Sequence, residues 1–256
     1  MKVAILAGGM GTRLVEETEV RPKPMVEVGG KPIIWHIMRH YDHYGFSEFV
    51  VALGYKGEQI RRFFAEFYSN SSNLRIDLSK GSAESHGGGP QERWLVELIE
   101  TGVQTNTGGR IKRLAPYLGN ETFMLTWGDG VSDVDLADLL KFHRSHGRLA
   151  TVTAVHPPAR FGQVEINEEK RVDFSERPLQ HAWINGAFFV LEPGTFDYID
   201  DDVTQWEKEP LERLVKDRQL MAYRHEGFWQ CLDTLRDKAR LEQLWQSGNA
   251  QWKIWN

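Results

Sequence analysis

One cysteine, Cys231, stands in 256 residues, which excludes an intrachain disulfide and a multi-cysteine metal site and suits a reducing compartment. Long apolar runs are missing as well. The first one, Val3 to Ala7, stops at Gly8-Gly9, too short for the core of a signal peptide, and none later approaches a membrane span. A soluble, cytoplasmic protein is expected. No charge sign dominates: 31 basic residues against 36 acidic ones give a net charge of -5, with no field to draw in nucleic acid or an anionic membrane. A small anionic ligand would have to be held by local groups. There is no internal repeat and no low-complexity linker, so a chain with 41% hydrophobic residues is expected to build one domain over residues 1–256.

What is present is alternation. Lys2 to Ala7 reads as a buried strand that delivers a glycine-rich loop. Pro32 suits a first helical turn, and Ile33, Ile34, Ile37, Met38 and Tyr41 then recur on one face until Gly45. Phe49 to Leu53 predicts a second strand, and Ile60, Phe63, Phe64 and Phe67 a second helix. Leu74 to Leu78 and Trp94 to Ile99 read as strands, separated by a polar stretch from Lys80 to Pro90 that reads as a mobile loop. Thr107 opens a helix through Ile111, Leu114, Ala115 and Leu118. A strand from Thr122 to Thr126, a helix through Leu136, Leu139, Leu140 and His143, and a strand from Ala150 to Val155 follow. Val164 to Phe174, turning at Asn167 to Lys170, and Trp183 to Leu191 suggest antiparallel pieces; Pro210 starts a short helix and Leu235 to Gln246 a longer one. The expected fold is α/β: a Rossmann-like, mostly parallel mixed sheet flanked by helices, with a small antiparallel C-terminal region. Trp245, Trp252 and Trp255 are expected to dock on the body or on a neighbouring subunit.

The segment Leu6-Ala7-Gly8-Gly9-Met10-Gly11-Thr12-Arg13-Leu14 sets three glycines and a cation directly after a strand. Bare backbone N–H groups can approach a polyphosphate there, and Arg13 can bind its oxygens in a fork, although a tight turn with a surface arginine fits too. Leu14 stands where the third glycine of a dinucleotide loop would fall, which disfavours a dehydrogenase. Arg21-Pro22-Lys23-Pro24-Met25, followed by Val28-Gly29-Gly30-Lys31-Pro32-Ile33, holds Lys23 between two prolines that fix the local backbone. Gly128-Asp129 ends a predicted parallel strand, where ligands gather in open α/β sheets. Its carboxylate suits magnesium or a plain strand-ending turn. Gln230-Cys231-Leu232-Asp233-Thr234 supplies a second carboxylate, unless Asp233 is the cap of the following helix.

Taken together, these loops resemble the sugar-1-phosphate nucleotidyltransferase family, across essentially the whole chain. The likeness is nearest to the branch that uses CTP and glucose 1-phosphate. Gly54-Tyr55-Lys56-Gly57, Thr107-Gly108-Gly109-Arg110, Thr126 to Gly130, Pro158-Ala159-Arg160-Phe161-Gly162, Trp206 to Pro210 and Gly227 to Lys238 carry it. The resemblance implies transfer from CTP to a sugar 1-phosphate, α-D-glucose 1-phosphate in the first place, with Mg2+ as cofactor, in a homo-oligomer. Alternatives are UTP or dTTP as donor, another phosphorylated acceptor, or a non-catalytic sensing subunit, which would be expected to lack the cations or carboxylates. The resemblance further implies that Leu6, Ala7, Gly8, Gly9, Gly11 and Thr12 line the nucleotide, that Arg13 holds the leaving pyrophosphate, and that Lys23 contacts the α-phosphate. Gly109 and Arg110 are implied for the base pocket, with Arg110 as a solvated helix-start residue nearly as well supported. Asp129 and Asp233 would hold the metal, and Asn185 and Gly186 would contact the sugar. Arg177 stands where the family has a lysine that grips the sugar phosphate, and Cys231 where proline is expected. The nucleotide part would span about residues 1–130 and the sugar part about 131–256.

Two further signals lead nowhere. His36, His40 and His43 share a helical face opposite Ile33, Ile37 and Tyr41 and are expected to form a solvated face rather than a zinc site. Cys231 is expected to be partly buried and inert.

Overall fold

The run Lys2 to Leu6 folds as β1 (Lys2–Leu6), with Val3 and Ile5 on one face, Ala4 and Leu6 on the other, and all four buried. That is the pattern of a strand covered on both sides. A computed structural model of the chain describes residues 1–11, 14–89, 92–158, 163–166, 172–175 and 182–255. After β1 come α1 (Val15–Thr18), a 3-10 turn (Lys23–Met25), β2 (Glu27–Val28), β3 (Lys31–Pro32), α2 (Ile33–His43), β4 (Glu48–Leu53) and α3 (Gly57–Asn70). The middle of the chain forms β5 (Ser72–Asp77), β6 (Ser82–Gly88), β7 (Leu95–Glu100), α4 (Thr107–Leu118), β8 (Phe123–Trp127), β9 (Gly130–Ser132), α5 (Leu136–His146) and β10 (Ala150–Val155). The remainder is β11 (Gln163–Ile166), β12 (Val172–Ser175), β13 (Ile184–Leu191), a 3-10 turn (Pro193–Tyr198), α6 (Glu209–Lys216), β14 (Leu220–His225), β15 (Trp229–Cys231) and α7 (Leu235–Gln246).

Seven strands form the central sheet in the order β14-β10-β13-β8-β1-β4-β7. β1 pairs in parallel with β4 and β8, β4 with β7, and β10 with β14, while β13 runs antiparallel to both its neighbours. Helices cover both faces. Val3, Ile5, Phe49 and Val51 look into a core shared with α2 and the C-terminal segment, and Ala4, Leu6, Val50 and Ala52 into one shared with α4 and Trp206. The expected mixed, mostly parallel sheet is what forms, and β11 and β12 make the small antiparallel addition.

Two expectations need correction. The polar stretch from Lys80 to Pro90 is not simply a loop: Ser82–Gly88 is β6, paired antiparallel with β5 in a hairpin outside the central sheet. β6 is exposed along its whole length, so it has no apolar face and shows no alternation to read. Across from it, Leu74 and Ile76 of β5 stay 42% and 59% exposed.

The second correction concerns α2. His43 is exposed, but His36 and His40 are buried. The side of α2 expected to face water is covered: the C-terminal segment folds back over His36, and Val134 and Phe188 lie against His40. Trp252 is fully buried, and His36 sits edge-on to Trp35 and Trp245. His36 Nε2 bonds the Val28 carbonyl at 2.8 Å while Nδ1 accepts from the Trp252 indole at 3.3 Å, a set that only the neutral ring satisfies. His40 Nε2 bonds the Val134 carbonyl at 2.8 Å.

Burial pushes both rings down to about 4, against the opposing pull of their backbone bonds. The unfolded chain takes up protons below pH 6.5 that the folded chain refuses until about pH 4. Stability should therefore be flat in these groups above pH 6.5 and fall by roughly 2 kcal/mol per histidine on going to pH 5. Urea midpoints at pH 7 and pH 5 check this, and replacing His36 and His40 together by asparagine should remove most of the difference. An equal loss in that double variant would locate the acid sensitivity elsewhere.

Candidate active site

The loop after β1 is drawn over the carboxyl edge of the sheet by backbone bonds: Ala7 N–H to Ala52 O at 3.0 Å and Tyr55 N–H to Gly8 O at 3.1 Å. Gly8 is tolerable here only without a side chain, because a Cβ would lie 2.2 Å from Arg110 Nη1 and 3.0 Å from Gly54 N. A cavity of about 430 Å³ opens beside the loop. Leu6, Ala7, Gly8, Gly9, Met10 and Gly11 form one wall, Val103 to Thr107 with Arg110 another, and Lys23, Pro24, Trp127, Gly128 and Asp129 the third. The start of α4 faces this space, which suits an anion. Glu207 fixes two lining side chains at once, accepting from Thr107 Oγ1 at 2.6 Å and from Trp127 Nε1 at 3.1 Å.

Arg110 is buried, 4% exposed, and is not a solvated helix-start residue. Its guanidinium donates to Leu53 O at 3.0 Å, Thr101 Oγ1 at 2.7 Å, Gly8 O at 3.0 Å and Val103 O at 3.3 Å. It thereby ties together the loops after β1, β4 and β7. Burial lowers its pKa from the usual guanidinium value, with Glu100 opposing.

Lys23 is presented by the 3-10 turn that Pro22 and Pro24 frame, and its ammonium lies 2.6 Å from Asp129 Oδ2 and 2.5 Å from Asp233 Oδ1. Burial alone would lower its pKa, but Asp129 and then Asp233 outweigh that and hold it above the ordinary lysine value. The two carboxylates come from segments a hundred residues apart, joined where β9 and β15 pair with Gly130 opposite Cys231 and where Leu232 N–H bonds Asp129 O at 2.8 Å. The far end of this ribbon is pinned by Asp133 Oδ1, which accepts from Phe228 N–H at 2.7 Å and meets His225 Nε2 at 2.8 Å. Asp233 does not cap α7. Thr234 does, in a capping box with Asp237, which leaves Asp233 aimed at Lys23. Two carboxylates converging on one cation are a donor set that fits magnesium, once phosphate oxygens and water complete its shell. Among the described residues no group of three or more histidine, cysteine, aspartate or glutamate side chains forms a metal cluster.

Cys231 is half-buried, and burial followed by Asp233, Asp129 and Asp237 pushes its thiol up to about 12. It stays protonated and inert.

Of the residues singled out from sequence, Leu6, Ala7, Gly8, Gly9, Gly11, Lys23, Arg110 and Asp129 line one cavity, and Asp233 joins them through Lys23. Gly109 does not line it; it packs on Asp202, where a Cβ would lie 2.5 Å from the Asp202 Cα. Asn185 and Gly186 lie outside the cavity, on β13. Thr12, Arg13 and Arg177 fall outside the described residues. Gln104, Thr105, Asn106, Trp127 and Glu207 were missed as site residues; the available signal was that the first three follow β7 at the edge that carries Gly8 and Asp129.

The family model described as nucleotidyl transferase matches residues 2–239. Glucose-1-phosphate cytidylyltransferase from Salmonella typhimurium is 49% identical over 257 aligned positions, covering 100% of both chains. A Bacillus subtilis protein named "probable glucose-1-phosphate cytidylyltransferase" is 43% identical, again over 100% of both. Among solved structures, HddC from Yersinia pseudotuberculosis complexed with GMP-PN superposes with a TM-score of 0.69 at 21% identity, over 95% of this chain and 99% of that one, which speaks for the fold alone.

Proposed function

The chain belongs to the nucleotidyl transferase family, and from that membership we propose that it joins CTP to α-D-glucose 1-phosphate, giving CDP-glucose and pyrophosphate. Likeness to the Salmonella protein along the full length of both chains carries the choice of substrates. The Lys23 ammonium held between Asp129 and Asp233, beside a glycine-lined cavity, supports the reaction type.

A phosphate oxygen of the sugar phosphate forms a bond to the α-phosphorus of CTP while the bond to the bridging oxygen breaks and pyrophosphate departs. The attacking phosphate is already ionised at neutral pH, so no general base and no covalent enzyme intermediate are required. Catalysis is then positioning and charge neutralisation. Leu6 to Gly11 with Thr12 cradle the nucleotide, Arg13 holds the pyrophosphate, and Lys23 exchanges its carboxylate partners for α-phosphate oxygens. Arg110 serves the base pocket directly, and Gly109 serves it by the close packing that seats the start of α4. Asp129 and Asp233 hold Mg2+, which when bound offsets phosphate charge. Arg177 grips the sugar phosphate, and Asn185 and Gly186 meet its hydroxyls. In this scheme residues 1–130 serve the nucleotide and 131–256 the sugar. Leu74 and Ile76, exposed on a hairpin outside the main sheet, support a homo-oligomer. A single cysteine, and no helix among the described residues long and apolar enough to cross a membrane, support a cytoplasmic setting.

A matrix of CTP, UTP, dTTP, ATP and GTP against sugar 1-phosphates, scored by pyrophosphate release, tests this. CTP with glucose 1-phosphate should exceed every other donor by at least about tenfold in kcat/KM, the equivalent of roughly 1.4 kcal/mol of discrimination. Equal turnover with UTP or dTTP would overturn the choice of nucleotide, and no release with any pair would favour a sensing subunit.

A further inference from the structure

We propose that Trp229 is a positioning residue for the sugar phosphate, acting through a strained backbone bulge that it holds open; this rests on the transferase reading above. β10 and β13 lose register at one place. Val152 faces Phe189 and Ala154 faces Asn185, so three residues of β13, Gly186, Ala187 and Phe188, oppose Thr153 alone. Ala187 adopts φ 64, a left-handed backbone that a residue with a Cβ resists. Strain of this kind persists only where its surroundings over-determine it.

Three contacts do so. Asn185 Oδ1 accepts from the Ala187 N–H at 2.8 Å, and the Trp229 indole N–H donates to Gly186 O at 2.7 Å. Gly186 itself is pressed against β10, where a Cβ would lie 2.7 Å from Val155 Cγ1 and 3.0 Å from Thr153 O. At the same place the buried Thr153 hydroxyl has no hydrogen-bond partner among the described residues.

The location gives the strain a use. Phe188 pairs with Thr126, so the bulge sits where β8 ends and delivers Gly128 and Asp129. Trp229 belongs to β15, the strand that leads into Asp233. One ribbon therefore carries a carboxylate of the reaction centre and the indole that holds the bulge. With Asn185 Oδ1 and Gly186 O both occupied, what the exposed Asn185 presents outward is its amide NH2, a donor matched to hydroxyl or phosphate oxygens. Without the indole bond the strained turn can relax toward regular pairing, and Asn185 turns away with it.

Trp229→Phe keeps the ring and deletes the donor. It should raise the KM for glucose 1-phosphate about five- to tenfold, the value of one hydrogen bond, and leave the KM for CTP within about twofold. Ala187→Gly added to Trp229→Phe makes the left-handed turn free of strain and should recover at least half of the lost acceptor affinity. A merely structural role for Trp229 would not give that rescue. The proposal fails if Trp229→Phe leaves the acceptor KM within about twofold, if both KM values rise together, or if Ala187→Gly recovers nothing. The wild-type control separates this from its premise: no turnover of CTP with glucose 1-phosphate sinks the transferase reading, whereas normal wild-type turnover with an unmoved acceptor KM in Trp229→Phe sinks only the role given to Trp229.

Discussion

Asp129→Ala and Asp233→Ala are each expected to lower kcat by about three orders of magnitude, because each removes a carboxylate from the pair that would hold the metal against the reacting phosphates, an effect of several kcal/mol. Their folded states should differ. Asp129 is half-buried and Asp233 is 5% exposed, and both engage Lys23. Losing Asp233 leaves the buried ammonium with a more solvated partner, so Asp233→Ala should melt lower than Asp129→Ala, while both remain folded. Turnover at saturating magnesium and differential scanning calorimetry measure the two effects. A folded single variant that keeps more than about a tenth of wild-type turnover would remove that carboxylate from the metal assignment.

Arg110→Met is expected to hurt both stability and nucleotide binding. Four hydrogen bonds from the guanidinium, to Leu53 O, Thr101 Oγ1, Gly8 O and Val103 O, are lost, three of them fully buried, while Gly8 O keeps the Tyr55 N–H and Leu53 O keeps the N–H and hydroxyl of Thr101. A hydrogen bond from a charged donor is worth about 1.5–3 kcal/mol before relaxation, so a net loss of roughly 3–5 kcal/mol, or a fall in Tm of about 6–20 °C for a chain of this size, is expected. The KM for CTP should rise at least about tenfold, since the walls on both sides of the cavity come loose together and a positive charge disappears from its lining. Arg110→Lys should recover little, because one ammonium cannot span acceptors laid out for a planar fork. An unchanged Tm with an unchanged CTP KM would show that the three loops hold their places without Arg110.

The parts of the site that were legible in the sequence are contiguous. Gly8 to Gly11 follows a strand whose four buried residues announce it, and Lys23 is framed by two prolines. Neither needs a distant partner to be recognised. Arg110 was harder because three of its four partners are carbonyl oxygens, which any residue supplies and which leave no mark in composition. The solvated face assigned to His36 and His40 was wrong for a related reason. Trp252, 216 positions beyond His36, covers that ring, and Val134 and Phe188, likewise far along the chain, cover His40; helical periodicity reports a face without reporting how many neighbours will cover the helix. Trp229 likewise gives no local sign of bonding Gly186, 43 positions away.

The strand order carries a lesson for recombination. β13 comes late in the chain and lies against β8 from the early part, with Phe188 facing Thr126, Phe189 facing Leu125, Val190 facing Met124 and Leu191 facing Phe123. A hybrid that took its first 130 residues from one relative and the rest from another would inherit half of that seam from each parent. Phe188 and Val190 enter one core while Phe189 and Leu191 enter the other, so a mismatch would be felt on both faces of the sheet. On the proposed division of the chain, nucleotide and sugar preferences are therefore expected not to exchange as cassettes, and a new pairing of the two is better sought by substitutions in the edge loops, with the β8–β13 seam kept from a single parent.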